Sequence, residues 1–301
     1  MELKKRLLLT GALRCDSDRL LFLENLGWNI TYMPDERKEA DFDVSVFEAV
    51  VCNGLFLYND IKKFTSLKKI QLTSAGYDRV PLDYIKEKGI SINNARGVYS
   101  APMAETVICG VLQLYKHSRR FSSLQKEHKW QKDRELLELT DKRVCIIGAG
   151  SIGLECAKRF KAFGCEVTGI DPFDVRSEHL DHCYKNSEMP DVLSETDIVI
   201  LTLPLTESTK GMFGKAEFKA LKDGAIFANI CRGGVVNEKE LISALDSGKL
   251  YGAVLDVFES EPLDPSSPLW DMENVIITPH NSFVSDKTNE RMFKVISDFL
   301  K

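Results

Sequence analysis

Between Val144 and Asp171 the chain carries a segment with few ways to fold. Val144 to Ile147 is a short, β-rich apolar run, and Gly148, Gly150 and Gly153 follow it at G-x-G-x-x-G spacing. Ile152, Cys156, Phe160 and Phe163 then recur at helical spacing, Glu166 to Ile170 reads as a second strand, and Asp171 closes the segment. The spacing predicts a strand-turn-helix-strand unit. In such a unit Gly148 allows the tight turn, Gly150 lets a pyrophosphate approach the backbone, and Gly153 lets helix and sheet pack closely. The helix N-terminus, beginning at Ser151 and Ile152, offers free N–H groups to phosphates. Asp171 is placed to accept hydrogen bonds from a ribose diol and to repel a 2′-phosphate. The expected cofactor is therefore NAD(H) in preference to NADP(H).

The rest of the chain bounds the setting. At 301 residues it is long enough for about two domains. With 44% hydrophobic and 28% charged residues it has the composition of a soluble globular protein. A net charge of -5 points to no nucleic-acid partner. The densest basic stretch, Lys116 to Arg134, is interrupted by Glu127 and Asp133 and reads as a solvated helical face. No apolar run approaches the ~20 residues that span a bilayer, and the run after Met-Glu-Leu-Lys-Lys-Arg at the N-terminus is too short for a signal peptide. The eight cysteines are scattered and form no C-x-x-C pair. That pattern implies reduced thiols in the cytoplasm, with neither a disulfide framework nor a metal site.

Strands alternate with helical patterns along the whole chain. Strands are expected at Arg6–Thr10, Asn29–Met33, Ala49–Asn53, Lys69–Thr73 and Ile90–Ile92, with a helix over Asp16–Leu26. A long apolar helix runs from Ala101 to about Tyr115. After the glycine-rich unit, strands are expected at Ile198–Leu203, Ala225–Ile230, Leu250–Asp256 and Val275–Thr278, and an amphipathic helix over Lys287–Leu300. This is the pattern of an α/β protein with parallel sheets covered on both faces. It predicts two Rossmann-like, doubly wound lobes with a cleft between them. Residues 1–100 and 282–301 would form a flavodoxin-like, substrate-binding lobe, and residues 101–281 the NAD-binding lobe.

Three charged residues follow three expected strands. Arg232 follows Ala225–Ile230, Glu261 lies just beyond Leu250–Asp256, and His280 follows Val275–Thr278. Ligands of open parallel sheets bind outside the carboxyl ends of the strands. A histidine suits proton exchange with an alcohol or ketone while a hydride moves to or from the cofactor. A neighbouring carboxylate would hold the imidazole and favour its protonated form, and an arginine can grip a substrate carboxylate in bidentate fashion. Singly, each has a plainer reading: His280 as a packed or surface histidine, Glu261 as a loop acid with Glu259 competing, Arg232 as a turn residue beside Gly233 and Gly234. Their agreement across three strand ends favours chemistry.

With these residues in view, the chain resembles the D-isomer-specific 2-hydroxyacid dehydrogenase family. The resemblance is carried by Gly148-Ala-Gly-Ser-Ile-Gly153 with Asp171, by Leu203-Pro-Leu-Thr206 with Ser208-Thr209, by Ala228-Asn-Ile-Cys-Arg-Gly-Gly234, by Leu255-Asp-Val-Phe-Glu-Ser-Glu-Pro262, and by Ile277-Thr-Pro-His280. In the first lobe, Ser74-Ala-Gly-Tyr-Asp78 resembles the loop whose backbone amides hold the substrate carboxylate, and Met103-Ala-Glu105 lies at a familiar position on the interlobe helix. The resemblance implies that Arg232 binds substrate, Glu261 orients His280, and His280 is the acid/base. It places Leu203, Pro204 and Thr209 at the cofactor, Asp256 against the nicotinamide, Ile230 and Cys231 along its pocket, and Ser74, Ala75, Gly76 and Tyr77 at the substrate. It also implies a two-fold homodimer joined through the region around the Ala101–Tyr115 helix and Trp130.

Two departures bear on specificity. Tyr77 replaces a smaller aliphatic residue, and Asn281-Ser282 follow His280 where glycine or alanine is common. The expected function is an NAD-dependent oxidoreductase acting on a small 2-hydroxy or 2-keto acid. The alternative is an NAD(H)-sensing module on the same fold with little turnover. Formate oxidation is disfavoured, because the resembling formate enzymes carry glutamine where Glu261 stands.

Overall fold

A computed structural model of the chain describes residues 5–301. The first four residues, which belong to the expected 1–100 segment and to the N-terminal run read against a signal peptide, lie outside them. The chain divides into two compact units. One is the chain up to Tyr99 together with Ser285–Lys301, and the other is Ser100–Val284.

The first unit is built on five parallel strands: β1 (Lys5–Thr10), β2 (Trp28–Met33), β3 (Ala49–Cys52), β4 (Lys69–Leu72) and β5 (Ser91–Asn93), in the order β2-β1-β3-β4-β5. That order is one of the two common doubly wound arrangements. Side chains alternate across the sheet, so both faces of a central strand must find cover. Leu7, Leu9, Ala49 and Val51 face one core with Met292, Ile296 and Leu300 of α9 (Thr288–Leu300). Leu8, Val50 and Cys52 face a second core with Phe47, Phe64 and Ile85, the last from α2 (Leu82–Glu87). The Trp28 indole donates to the carbonyl of Leu300 at 3.1 Å, tying the last helix to β2. Helix α1 (Ser17–Asn25) is capped by Asp16, whose carboxylate accepts the Arg19 N–H.

The second unit carries seven parallel strands: β6 (Arg143–Ile147), β7 (Glu166–Ile170), β8 (His182–Tyr184), β9 (Ile198–Leu201), β10 (Ala225–Asn229), β11 (Leu250–Leu255) and β12 (Val275–Ile277). Their order is β12-β11-β10-β9-β6-β7-β8, which reverses between β6 and β9. Every residue of β9 and β10 is buried. Phe213, Phe218 and Phe227 pack edge-on or tilted against one another with centroids 4.9 to 5.3 Å apart. The helices are α3 (Ser100–Tyr115), α4 (Ser118–Lys126), α5 (Ser151–Ala162), α6 (Met189–Ser194), α7 (Lys215–Ala220) and α8 (Glu238–Asp246). The expectation of two doubly wound parallel-sheet α/β units is met. Among the described residues no helix is long and apolar enough to cross a membrane.

Three local expectations are corrected. The helical reading of Lys116–Arg134 holds only for α4. His128 enters the left-handed region (φ 55), and the Lys129 and His128 N–H groups bond back to Leu124 and Gln125, closing the helix in a Schellman motif. Phe163 is 44% exposed and off the buried face of α5, because it occupies the cap, with Gly164 left-handed behind it. The strands β9 to β12 each stop one or two residues early, where the chain leaves the sheet to build loops at its carboxyl edge.

Helix α3 lies against β11 through Gly110. A Cβ there would sit 2.5 Å from Val254 Cγ1. Gly110→Ala is therefore expected to destabilise the protein by about 1–3 kcal/mol through overpacking, read as a lower thermal unfolding midpoint. An unchanged midpoint would contradict this close approach.

Candidate active site

Glycine decides the geometry after β6. Gly148 has φ 99, donates its N–H to Ile170 at 2.8 Å, and lies so close to the loop after β9 that a Cβ would come within 3.0 Å of the Leu203 nitrogen. The Thr202 hydroxyl donates to the Gly148 carbonyl at 2.6 Å. At Gly153 a Cβ would meet the Gly148 carbonyl oxygen at 2.2 Å, so only glycine lets α5 start this close to its strand. At Gly150 a Cβ would meet nothing within 4 Å, and this open side faces whatever the loop receives. No side chain caps α5, and its first intrahelical N–H bond is from Leu154 to Gly150. The N–H groups of Ser151, Ile152 and Gly153 are thus left for an anion. A pyrophosphate fits this donor set.

Asp171 is held before any ligand arrives. One carboxylate oxygen accepts the Ala149 N–H and the other the Phe173 N–H, both at 2.9 Å. Each oxygen keeps a second lone pair, so the group ties the glycine loop to the end of β7 and still has acceptor capacity. The loop after β9 clasps itself: the Thr209 hydroxyl donates to the Pro204 carbonyl at 2.7 Å and accepts the Thr206 N–H at 2.8 Å.

The loops after β10, β11 and β12, neighbours in the sheet, carry Arg232, Glu261 and His280. His280 Nδ1 lies 2.7 Å from Glu261 Oε2. A carboxylate can only accept, so Nδ1 carries the proton and Nε2 is left for exchange. The other Glu261 oxygen accepts the Phe258 N–H at 3.2 Å. The competing acid, Glu259, is turned away and accepts the Glu238 N–H at the start of α8 at 3.0 Å. Arg232 is exposed and donates to the Cys231 carbonyl at 2.7 Å. Gly233 brings the loops after β10 and β11 together, since a Cβ there would lie 1.8 Å from the Phe258 oxygen.

Asp256, Asn229, Thr278 and Ser282 form the supporting layer. Asp256 has no exposed surface. Its carboxylate accepts from the Thr278 hydroxyl, from the Asn281 N–H at 2.8 Å, and from both the N–H and the hydroxyl of Ser282. The Asn229 carboxamide donates to the Arg232 carbonyl at 3.2 Å and accepts the Cys231 N–H and thiol, both at 3.1 Å. Burial pushes the Cys231 thiol up to about 11, which keeps it protonated as a donor. Ile230 and Cys231 are buried. The sequence assigned no role to Asn229 or Thr278, and Ser282, expected to bear on specificity, is instead buried and bound to Asp256. The available signal was a polar residue at the end of an otherwise apolar strand. Among the described residues there is no cluster of ligands for a metal ion.

In the first unit, the loop after β4 has its carbonyls tied down. Ala95 N–H reaches the Ser74 carbonyl at 2.9 Å, Asn94 Nδ2 the Ala75 carbonyl at 2.6 Å, and the Ser74 hydroxyl the Gly76 carbonyl at 2.9 Å. The amides of Ser74, Ala75, Gly76 and Tyr77 have no acceptor among the described residues. They form a row of free donors, with the Tyr77 side chain 36% exposed beside them.

Comparison with known proteins gives this geometry a context. Residues 108–282 match the family model described as D-isomer specific 2-hydroxyacid dehydrogenase, NAD binding domain. The chain is 32% identical over 262 residues to a D-3-phosphoglycerate dehydrogenase from Archaeoglobus fulgidus, covering 86% of this chain but 49% of that protein. The chain thus spans about half the length of that relative. It is 31% identical over 251 residues to a hydroxypyruvate reductase from Blautia hydrogenotrophica, covering 80% of this chain and 78% of that protein. Among solved structures it is similar to a D-isomer specific 2-hydroxyacid dehydrogenase from Xanthobacter autotrophicus Py2 in complex with NADPH and MES. The TM-score is 0.80 at 26% identity, covering 99% of this chain and 94% of that one.

Proposed function

The chain belongs to the D-isomer specific 2-hydroxyacid dehydrogenase family, and on that premise we propose that it is an NAD-dependent oxidoreductase that interconverts a small 2-keto acid and its 2-hydroxy acid. The observation that carries this reading is the 2.7 Å bond between His280 Nδ1 and Glu261, at strand ends neighbouring that of Arg232. A bound NADH supplies the hydride that reaches the carbonyl carbon. His280 Nε2 gives a proton to the carbonyl oxygen and takes it back in the reverse direction. Glu261 fixes the imidazole's orientation. Arg232 releases the Cys231 carbonyl to bind the substrate carboxylate and polarise its ketone. Within the first unit, the free amides of the Ser74–Tyr77 loop are donors suited to a carboxylate.

Chain groups would hold the dinucleotide: pyrophosphate by the N–H groups at the start of α5, ribose by Asp171, and the adenosine and nicotinamide ends by the Leu203, Pro204, Thr209, Ile230 and Cys231 segments. A relative of similar fold carries NADPH, so the choice between dinucleotides rests on local charge. Here it rests on the Asp171 carboxylate, which repels a 2′-phosphate. Absorbance at 340 nm with a panel of 2-keto acids tests the whole reading. Wild type should oxidise NADH in preference to NADPH, and Asp171→Ala should relax that preference. His280→Ala should lose about a hundred- to ten-thousandfold in turnover while still binding NADH. Arg232→Lys should mainly weaken substrate use, since an ammonium cannot make the bidentate contact. Wild-type rates in both the His280 and Arg232 variants would move the chemistry elsewhere.

The protein is further proposed to act as a cytoplasmic homodimer. All eight cysteines are free thiols, as a reducing compartment requires. Trp130 is 97% exposed on the segment after α4, and Ile108 and Leu112 of α3 are only partly covered. Two-fold pairing is the common way to cover such apolar surface. Sedimentation should show a species of twice the 34.0 kDa chain mass, shifted toward monomer by Trp130→Asp. A monomer alone at micromolar concentration would refute this.

A further inference from the structure

We propose that Asn94 and Tyr99 are positioning residues that set the affinity for the substrate's carboxylate; this rests on the hydride-transfer reading above. Both act through the loop after β4, where the N–H groups of Ser74, Ala75, Gly76 and Tyr77 have no acceptor among the described residues.

Those free amides follow from what holds the other side of each peptide. A planar trans peptide points its N–H away from its C=O, so a bond that fixes one aims the other. Four consecutive peptides are fixed in this way. The Tyr99 hydroxyl donates to the Thr73 carbonyl, which shares its peptide with the Ser74 N–H. The Ala95 N–H holds the Ser74 carbonyl at 2.9 Å, Asn94 Nδ2 the Ala75 carbonyl at 2.6 Å, and the Ser74 hydroxyl the Gly76 carbonyl at 2.9 Å. Each oxygen is occupied by the chain and each N–H is left over. Runs of backbone amides of this kind make anion sites, and a donor on a carbonyl polarises the N–H of the same peptide. The row offers a ligand donors and no acceptor, which suits a carboxylate.

Tyr99, Ala95 and Asn94, which supply all but the Ser74 bond, lie on one segment after β5, and that segment is held in turn. Asn93 Nδ2 donates to Gln71 Oε1 at 2.8 Å, and the buried Gln71 donates to the Leu72 carbonyl at 2.8 Å. Asn94 Oδ1 accepts the Arg96 N–H at 3.1 Å, so both ends of its carboxamide are engaged and its amino group is aimed at the loop. The Tyr99 ring packs on the core that contains Leu7, Leu9 and Val51. Burial pushes its hydroxyl up to about 12, so it stays a donor at neutral pH. Donors ordered before the ligand arrives spare binding the cost of ordering them.

The test is steady-state kinetics with NADH and the 2-keto acid that wild type reduces fastest, together with the inhibition constant of oxamate, a carboxylate analogue of such acids. Tyr99→Phe removes one hydroxyl and keeps the ring. It should raise KM and the oxamate constant together by about three- to tenfold, the worth of one hydrogen bond, with kcat within about twofold of wild type. NADH affinity, read by fluorescence, should not change. Asn94→Ala should act likewise, and Asn94→Asp, which sets an acceptor against the Ala75 carbonyl, should raise both constants further. If the Asn94 variants do not fold, Tyr99→Phe carries the test alone. An unchanged KM and oxamate constant in Tyr99→Phe overturns the inference. So does a loss of kcat and NADH affinity as large as the loss of substrate affinity, because the hydroxyl would then serve only the fold. In both cases the hydride-transfer reading stands. A wild type that reduces no 2-keto acid overturns both.

Discussion

The chemistry proposed for the second unit depends on one buried carboxyl group. Asp256 closes β11 with no exposed surface, and an unpaired carboxylate in such a place would be prohibitive. It is made tolerable by a hydroxyl and two backbone N–H groups of the turn after β12, with a second hydroxyl from Ser282. The Asp256 carbonyl also accepts the His280 N–H at 2.8 Å. Together these bonds hold His280 at φ 50, a left-handed backbone that costs a non-glycine residue about 1–2 kcal/mol. That backbone places Nδ1 on Glu261, and the Phe258 N–H fixes Glu261 in turn. Satisfying Asp256 and aiming the imidazole are one event.

Two parts of this sheet's carboxyl edge solve different problems by different means. At the glycine loop the backbone itself is the binding surface, so side chains must be absent: at Gly148 and Gly153 a Cβ would collide, and at Gly150 the space is open. At the ends of β10, β11 and β12 the side chains carry the proposed chemistry, and a layer of polar residues beneath holds them. Asn229 sets the turn that carries Arg232, and Asp256 the turn that carries His280. Gly233 lets these layers touch. Asp171 combines both tasks, binding the glycine loop to β7 and keeping lone pairs for a ribose.

Much of this was legible in the sequence, for definite physical reasons. The central strands of both sheets are continuous apolar runs because both faces are covered, and every strand but β8 was found within two residues. The glycine spacing and the three charged strand ends were legible because their chemistry allows few substitutes. What escaped was short or indirect. Helices α2, α6 and α7 have six residues each and β8 three, too few for periodicity to declare itself. Helix α8 was signalled only by its Asn237 cap. Residue chemistry alone left Glu259 competing with Glu261; the resemblance chose Glu261, and the contact of Glu259 with α8 turns the competitor away. Asp256 was placed by resemblance against a nicotinamide. Its commitment to Thr278, Asn281 and Ser282 emerges only when β11 and β12 lie side by side.

That commitment is the account's central claim, and turnover of Asp256→Asn measures it most directly. An asparagine keeps the shape but sets an amide donor among donors, leaving buried groups unsatisfied at a cost of about 1–3 kcal/mol. The His280 turn should shift, and displacements of this order cost about a hundredfold in rate. The account predicts that kcat for 2-keto acid reduction falls by about that factor at saturating NADH, in protein still folded at the assay temperature. A variant that turns over at the wild-type rate would contradict it, because the imidazole would then be aimed without Asp256.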